Sequence, residues 1–146
     1  MLYRADNADR TVVFCNPIFE ERKSAQRAMV EAANLFCNSG FNVVTFDYRG
    51  CGDSGGYAHS YDVNHWVADI HTAAQFAADA TGCKQIGLLG LRCGASFAIM
   101  AMNNSPSAFS FAALWAPVIT GRTYVDQELR KKLTKEMVIF GKNNVK

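Results

Sequence analysis

An α/β domain with a mostly parallel sheet and helices on both faces is the architecture this sequence predicts, on two observations. Apolar runs over residues 11–15, 41–48, 86–89 and 108–116 alternate with helical periodicity that begins near Ser24, Asp62 and Gly94, the order that strand-helix-strand crossovers produce. The run Ile86-Gly87-Leu88-Leu89 is apolar throughout, as a strand covered by helices above and below must be. Crossovers between parallel strands are right-handed, so a single sheet of about four to six strands follows.

In chain order, residues 2–5 read as a short strand, and Asp6-Asn7-Ala8-Asp9 as a turn into the β-branched run Thr11-Val12-Val13-Phe14-Cys15. Pro17 lacks a ladder donor and disfavours helix for Asn16, so residues 16–21 are expected to form a loop at that strand's carboxyl end. Ser24 is the expected N-cap of a helix that carries Met29, Ala33 and Phe36 on one face and stops before Gly40. After the strand at 41–48, Gly50, Gly52 and Gly55 match a dinucleotide-binding spacing. That reading requires a helix at once, whereas periodicity resumes only around Asp62. The next helix, over 62–80, ends at Thr81-Gly82, a buried helix of small residues spans 94–102, and Pro117 closes the last strand. From Thr123, Val125, Leu129, Leu133 and Met137 recur at four-residue steps among Arg130, Lys131, Lys132 and Lys135, an amphipathic helix that needs a partner surface. The chain is therefore expected to divide into a domain over 1–122 and a helical tail over 123–146.

Composition excludes several classes of function. The chain has 146 residues, 49% of them hydrophobic, enough for one core. Fifteen basic and thirteen acidic residues leave a charge of +2, too little to neutralise a phosphate backbone, so no nucleic-acid role is expected. Five cysteines without a C-x-x-C pair sit largely in apolar segments, which predicts a reduced, cytoplasmic protein. No segment approaches the roughly twenty apolar residues of a membrane span, and the N-terminus has no apolar signal region. Nothing in the sequence calls for a metal or a cofactor.

The chemistry concentrates at Gly90-Leu91-Arg92-Cys93-Gly94. Glycines at the first and last positions let a strand turn sharply into a helix and hold the middle residue at the tip, the G-x-S-x-G arrangement that presents a nucleophilic serine. Here the tip is Arg92, whose guanidinium is always protonated and cannot attack a carbonyl. Tip residues of such turns are held at positive φ, and the same is expected of Arg92.

With these motifs placed, the chain resembles the amino-terminal half of the α/β-hydrolase fold. Asp47-Tyr48-Arg49-Gly50-Cys51-Gly52-Asp53-Ser54 looks like that superfamily's D-x-R-G-x-G-x-S loop, and residues 90–94 occupy the elbow. More narrowly, Asn16-Pro17-Ile18-Phe19-Glu20-Glu21, Gly90-Leu91-Arg92-Cys93-Gly94-Ala95 and Trp115-Ala116-Pro117-Val118 are similar to hydrolase-like proteins associated with bacterial exosortase systems. The resemblance covers most of residues 11–122. It implies an acid and a histidine in that order beyond the nucleophile, whereas the three histidines here, His59, His65 and His71, all precede the elbow. The expectation is that the chain ends before the acid and the histidine.

Three site readings follow. Cys93 is the one candidate nucleophile, because a cation and a helix N-terminus beside a thiol lower its pKa; the competing expectation is that its side chain turns inward and only its backbone N–H faces a ligand. Ser96 falls inside the first helical turn, where a hydroxyl bonds local backbone. An anion or carbonyl site built from Arg92 and the backbone N–H groups near Ile18 and Cys93 is the second reading, and an internal ion pair from Arg92 to Glu20, Glu21 or Asp47 is the third. With Arg92 at the tip and every histidine before the elbow, the expectation is a protein without hydrolase activity of its own, acting in small-ligand binding or in assembly. The alternative is a hydrolase of ester, thioester or amide bonds, with Cys93 as nucleophile or with its site completed by another chain. A homo-oligomer, most simply a dimer, is expected because Phe109, Phe111, Leu114 and Trp115 leave an apolar sheet edge.

Overall fold

The computed structural model describes residues 1–140; the last six residues of the expected tail lie outside it. Five strands form one sheet: β1 (Leu2–Tyr3), β2 (Arg10–Cys15), β3 (Asn42–Thr45), β4 (Gln85–Leu91) and β5 (Phe111–Trp115), in the order β1-β3-β2-β4-β5. The β1–β3 pair is antiparallel and the other three pairs are parallel. The fold class is the expected one, and β2 and β4 sit at its centre. β4 runs from Ile86 to Leu91 without an exposed residue, as its two-sided apolar composition requires.

Helices α1 (Phe19–Asn38), α2 (Val63–Thr81), α3 (Cys93–Asn104) and α4 (Gly121–Phe140) connect and follow the strands. One face of the sheet packs Val12, Phe14, Val43 and Leu89 against Met29 and Ala33 of α1. The other packs Val13, Val44, Ile86 and Leu88 against Trp66 and Ile70 of α2 and Phe97 and Ala101 of α3. Asp62 caps α2 by accepting the His65 backbone N–H at 3.1 Å, and Gly82 at φ 71° ends that helix.

Several boundaries differ from expectation, most of all at α1, β3 and β5. α1 starts at Phe19, five residues before Ser24, because Ile18 is extended and the acidic pair Glu20-Glu21 suits a helix amino end. Ser24 lies inside α1, its hydroxyl donating to the Glu20 carbonyl at 3.2 Å. The strand read over 41–48 is only Asn42–Thr45, and the one read over 108–116 begins at Phe111 after a 3-10 turn at Pro106–Ala108. α2 starts well beyond the glycine loop, so the dinucleotide spacing at Gly50, Gly52 and Gly55 has no helix to open. No helix among the described residues is long and apolar enough to cross a membrane.

β5 is an edge strand in the described chain, pairing with β4 alone. α4 does not close that edge: Leu114 and Trp115 remain 43% and 54% exposed, and Val125, Leu129, Leu133 and Met137 are all exposed along α4.

Candidate functional site

The elbow is built by close approach of backbones. At Gly94 a β-carbon would lie 2.7 Å from the Cys15 carbonyl carbon and closer still to the carbonyl oxygens of Cys15 and Asn16. At Gly90 it would lie 2.7 Å from the Ala95 nitrogen. Both positions therefore admit only glycine, and the amino end of α3 is pressed onto the end of β2. Between them Arg92 sits at φ 56° and ψ −123°, a conformation that costs a non-glycine residue on the order of 1–3 kcal/mol. Its backbone N–H donates to the Trp115 carbonyl at 2.9 Å, tying the tip to β5.

Cys93 turns inward and is buried. Its Sγ accepts the Ile18 backbone N–H at 3.3 Å, and the Tyr124 hydroxyl of α4 lies 3.9 Å away. Burial pushes the Cys93 thiol up, against the lowering pull of the Ile18 N–H and the Tyr124 hydroxyl. A thiol so placed is a poor nucleophile at neutral pH. The Ile18 N–H, expected to face a ligand, is thus engaged by sulfur. Alkylation of the folded protein by iodoacetamide at pH 8 is expected to modify Cys37, which is partly exposed, well before Cys93. Peptide mapping by mass spectrometry checks this, and preferential labelling of Cys93 would contradict the geometry.

Of the three carboxylates that sequence offers to Arg92, Glu21 takes it: Arg92 Nε donates to Glu21 Oε1 at 3.2 Å. The same oxygen accepts Lys131 Nζ of α4 at 3.2 Å, and Lys131 also bonds Glu128 at 2.5 Å. Glu20 and Asp47 hold other cations. Glu20 pairs with Lys23 at 3.2 Å and Lys135 at 3.7 Å, and the hydrogen bond from Lys23 holds its carboxyl below the usual range. Asp47 accepts from Arg22 Nε at 2.9 Å and from the Asp53 backbone N–H at 3.1 Å, while the Ser54 hydroxyl donates to the Asp47 carbonyl at 2.8 Å. The D-x-R-G-x-G-x-S loop is accordingly a self-bonded turn. Arg49 anchors it to α2 through Asp69, with Nε at 2.8 Å.

No histidine serves the elbow. The His65 ring accepts the Asp62 backbone N–H at 3.3 Å at the start of α2, His59 stacks on Tyr57 and His71 packs against Phe109. Ser96 donates to the Val118 carbonyl at 2.7 Å. Among the described residues no group of three His, Cys, Asp or Glu side chains could hold a metal ion.

Two openings flank Tyr124. An open crevice of about 220 Å³ is lined by Arg92, Thr120, Thr123 and Gln127, among others. A larger apolar groove of about 720 Å³ separates Phe19 from Val125, Leu129 and Ile139 of α4. Tyr124 and Lys131 were not legible as site residues. The only signal in sequence was a tyrosine set one place off the apolar stripe of the tail.

Comparison with known proteins agrees with this architecture. A family model described as serine aminopeptidase, S33, matches residues 6–143. No curated protein matches the chain. Among solved structures, an esterase of Pyrococcus furiosus is 22% identical at a TM-score of 0.71, with 88% of this chain and 47% of that one covered. The Mycobacterium smegmatis proline iminopeptidase is 19% identical at 0.67, covering 94% and 46%. Est1E of Butyrivibrio proteoclasticus, solved with ferulic acid bound, is 16% identical at 0.69, covering 80% and 47%. At these identities the likeness is one of fold. The chain spans about half the length of the structures it matches.

Proposed function

We propose, for a chain that belongs to the serine aminopeptidase S33 family, that the elbow binds a small anionic or carbonyl ligand and does not hydrolyse one. The observation that carries this reading is the content of the elbow. A guanidinium paired with Glu21 stands at the tip where the frame places a nucleophile, and the neighbouring thiol is buried beneath it. A guanidinium cannot attack a carbonyl, but it is well suited to hold an oxyanion. The motifs Asn16-Pro17-Ile18-Phe19-Glu20-Glu21 and Trp115-Ala116-Pro117-Val118 further suggest kinship with the hydrolase-like proteins of exosortase systems.

The test is a panel of chromogenic esters, thioesters and amides. The parent is expected to show no turnover above background, with Cys93→Ala unchanged from it. Arg92→Ser is expected to gain none, since a serine hydroxyl without a positioned base is a weak nucleophile at neutral pH. Turnover by the parent that Cys93→Ala abolishes would overturn the proposal. So would a gain in Arg92→Ser above about a hundredfold, the low end of what a positioned general base supplies.

A further inference from the structure

We infer that the elbow's ligand is a monoanionic carboxylate, and that Glu21 is an internal stand-in for it that competes with a free carboxylate for Arg92. This rests on the reading of the elbow as a binding site. Arg92 has donors to spare: Nε is given to Glu21 and Nη1 lies 3.4 Å from the Ala116 carbonyl, out of the five N–H groups a guanidinium carries. The same residue lines the crevice whose other walls offer the hydroxyls of Thr120 and Thr123 and the amide of Gln127, all exposed to solvent. A planar fork of donors beside hydroxyl and amide groups is the chemistry that recognises a carboxylate.

Charge decides the class. Arg92 and Lys131 face Glu21 and Glu128, two cations against two anions, so letting go of Glu21 frees the single positive charge of Arg92, a match for a monoanion and not for a divalent oxyanion. Glu21 can nevertheless release Arg92 without being stranded, because its Oε1 keeps Lys131 at 3.2 Å. Its other oxygen, Oε2, is buried and has no hydrogen-bond partner among the described residues, where those two cations alone hold the carboxylate in place. A ligand carboxylate then exchanges one ion pair for another, and Glu21 sets how readily it does so. Removing the charge at Glu21 leaves an uncompensated cation at the elbow. Removing the charge at Lys131 leaves Glu21 with Arg92 alone and binds it more firmly. The two substitutions therefore act in opposite directions, although neither residue lines the crevice.

Sodium propionate, which reproduces the glutamate side chain beyond its α-carbon, is titrated into the full chain at constant ionic strength, following the amide chemical shifts of Cys93 and Thr123. Glu21→Gln is expected to lower the Kd about tenfold, the scale of one partly buried charge-assisted hydrogen bond. Lys131→Met is expected to raise it severalfold, and Arg92→Ala to abolish the response. Equal affinity in the parent, Glu21→Gln and Lys131→Met, with the response still lost in Arg92→Ala, would overturn the role of Glu21 and leave the elbow a binding site. No response in the parent and in Glu21→Gln alike would overturn both. Tighter binding of inorganic phosphate than of propionate by Glu21→Gln would overturn the carboxylate class. Should Glu21→Gln fail to fold, the sign of the Lys131→Met change decides the inference.

Discussion

Replacing Gly94 by alanine is expected to cost on the order of 3 kcal/mol or more, beyond the usual range for an overpacked core. The added methyl would meet the Cys15 and Asn16 carbonyls, with the Cys15 carbonyl carbon at 2.7 Å, and these are backbone atoms at and just past the carboxyl end of β2, whose residues 11–15 are buried. A flexible side chain could swing aside, but β2 is pinned by β3 on one side and β4 on the other. Relief would require α3 to lift from the sheet, which would uncover Cys93, Phe97 and Ala101. Against a total stability of about 5–15 kcal/mol for a domain this is a large fraction. With a slope of roughly 1–2 kcal/mol per molar urea, the unfolding midpoint should fall by about 2 M. Gly55→Ala is the control, since nothing lies within 4 Å of a β-carbon there, and its midpoint should stay within about 0.5 M of the parent. Equal midpoints for the two variants would mean that the elbow is not held by backbone contact.

How much of this was legible depended on whether the physics was local. The sheet was legible because a strand buried on both faces must be apolar throughout, and residues 86–89 are. The elbow was legible because only glycine permits the approach of α3 to β2, and Gly90 and Gly94 stand in the sequence at the required spacing. The start of α1 was not. Ile18 caps the helix with backbone geometry and no side-chain hydrogen bond, so no capping residue marks the boundary, whereas Ser24 looks like a cap and is not one. The choice among Glu20, Glu21 and Asp47 for Arg92 depended on that start. With α1 beginning at Phe19, Glu21 reaches both the elbow and α4, while Glu20 reaches Lys23 and Lys135. The contact between Tyr124 and Cys93 joins residues 31 apart in sequence and carries no local signature.

In solution the protein is expected to form a dimer through β5. Residues Phe111–Trp115 pair on one side with β4 and on the other with no strand of the described chain, leaving a row of backbone donors and acceptors that another strand can satisfy. Leu114 and Trp115 lie exposed at the same edge, and Ile119 just beyond it is 86% exposed. A helix folded over the sheet face would hide apolar side chains without pairing those backbone groups, and α4 does not cover them. Antiparallel pairing of β5 with its symmetry mate across a two-fold axis satisfies both demands at once, since an isologous contact brings the same edge and the same apolar residues to each side. Exchange of α4 between chains is the competing route to a dimer, and the two separate on one substitution. Light scattering coupled to size exclusion, with dilution to low micromolar, should give twice the 16.0 kDa chain mass for the parent. Trp115→Glu should give the monomer with an unchanged circular dichroism spectrum, because the Trp115 side chain is half exposed and only its backbone carbonyl holds Arg92. A dimer that survives Trp115→Glu would assign association to α4, and a stable, well-folded monomer of the parent would show that the β5 edge does not drive association.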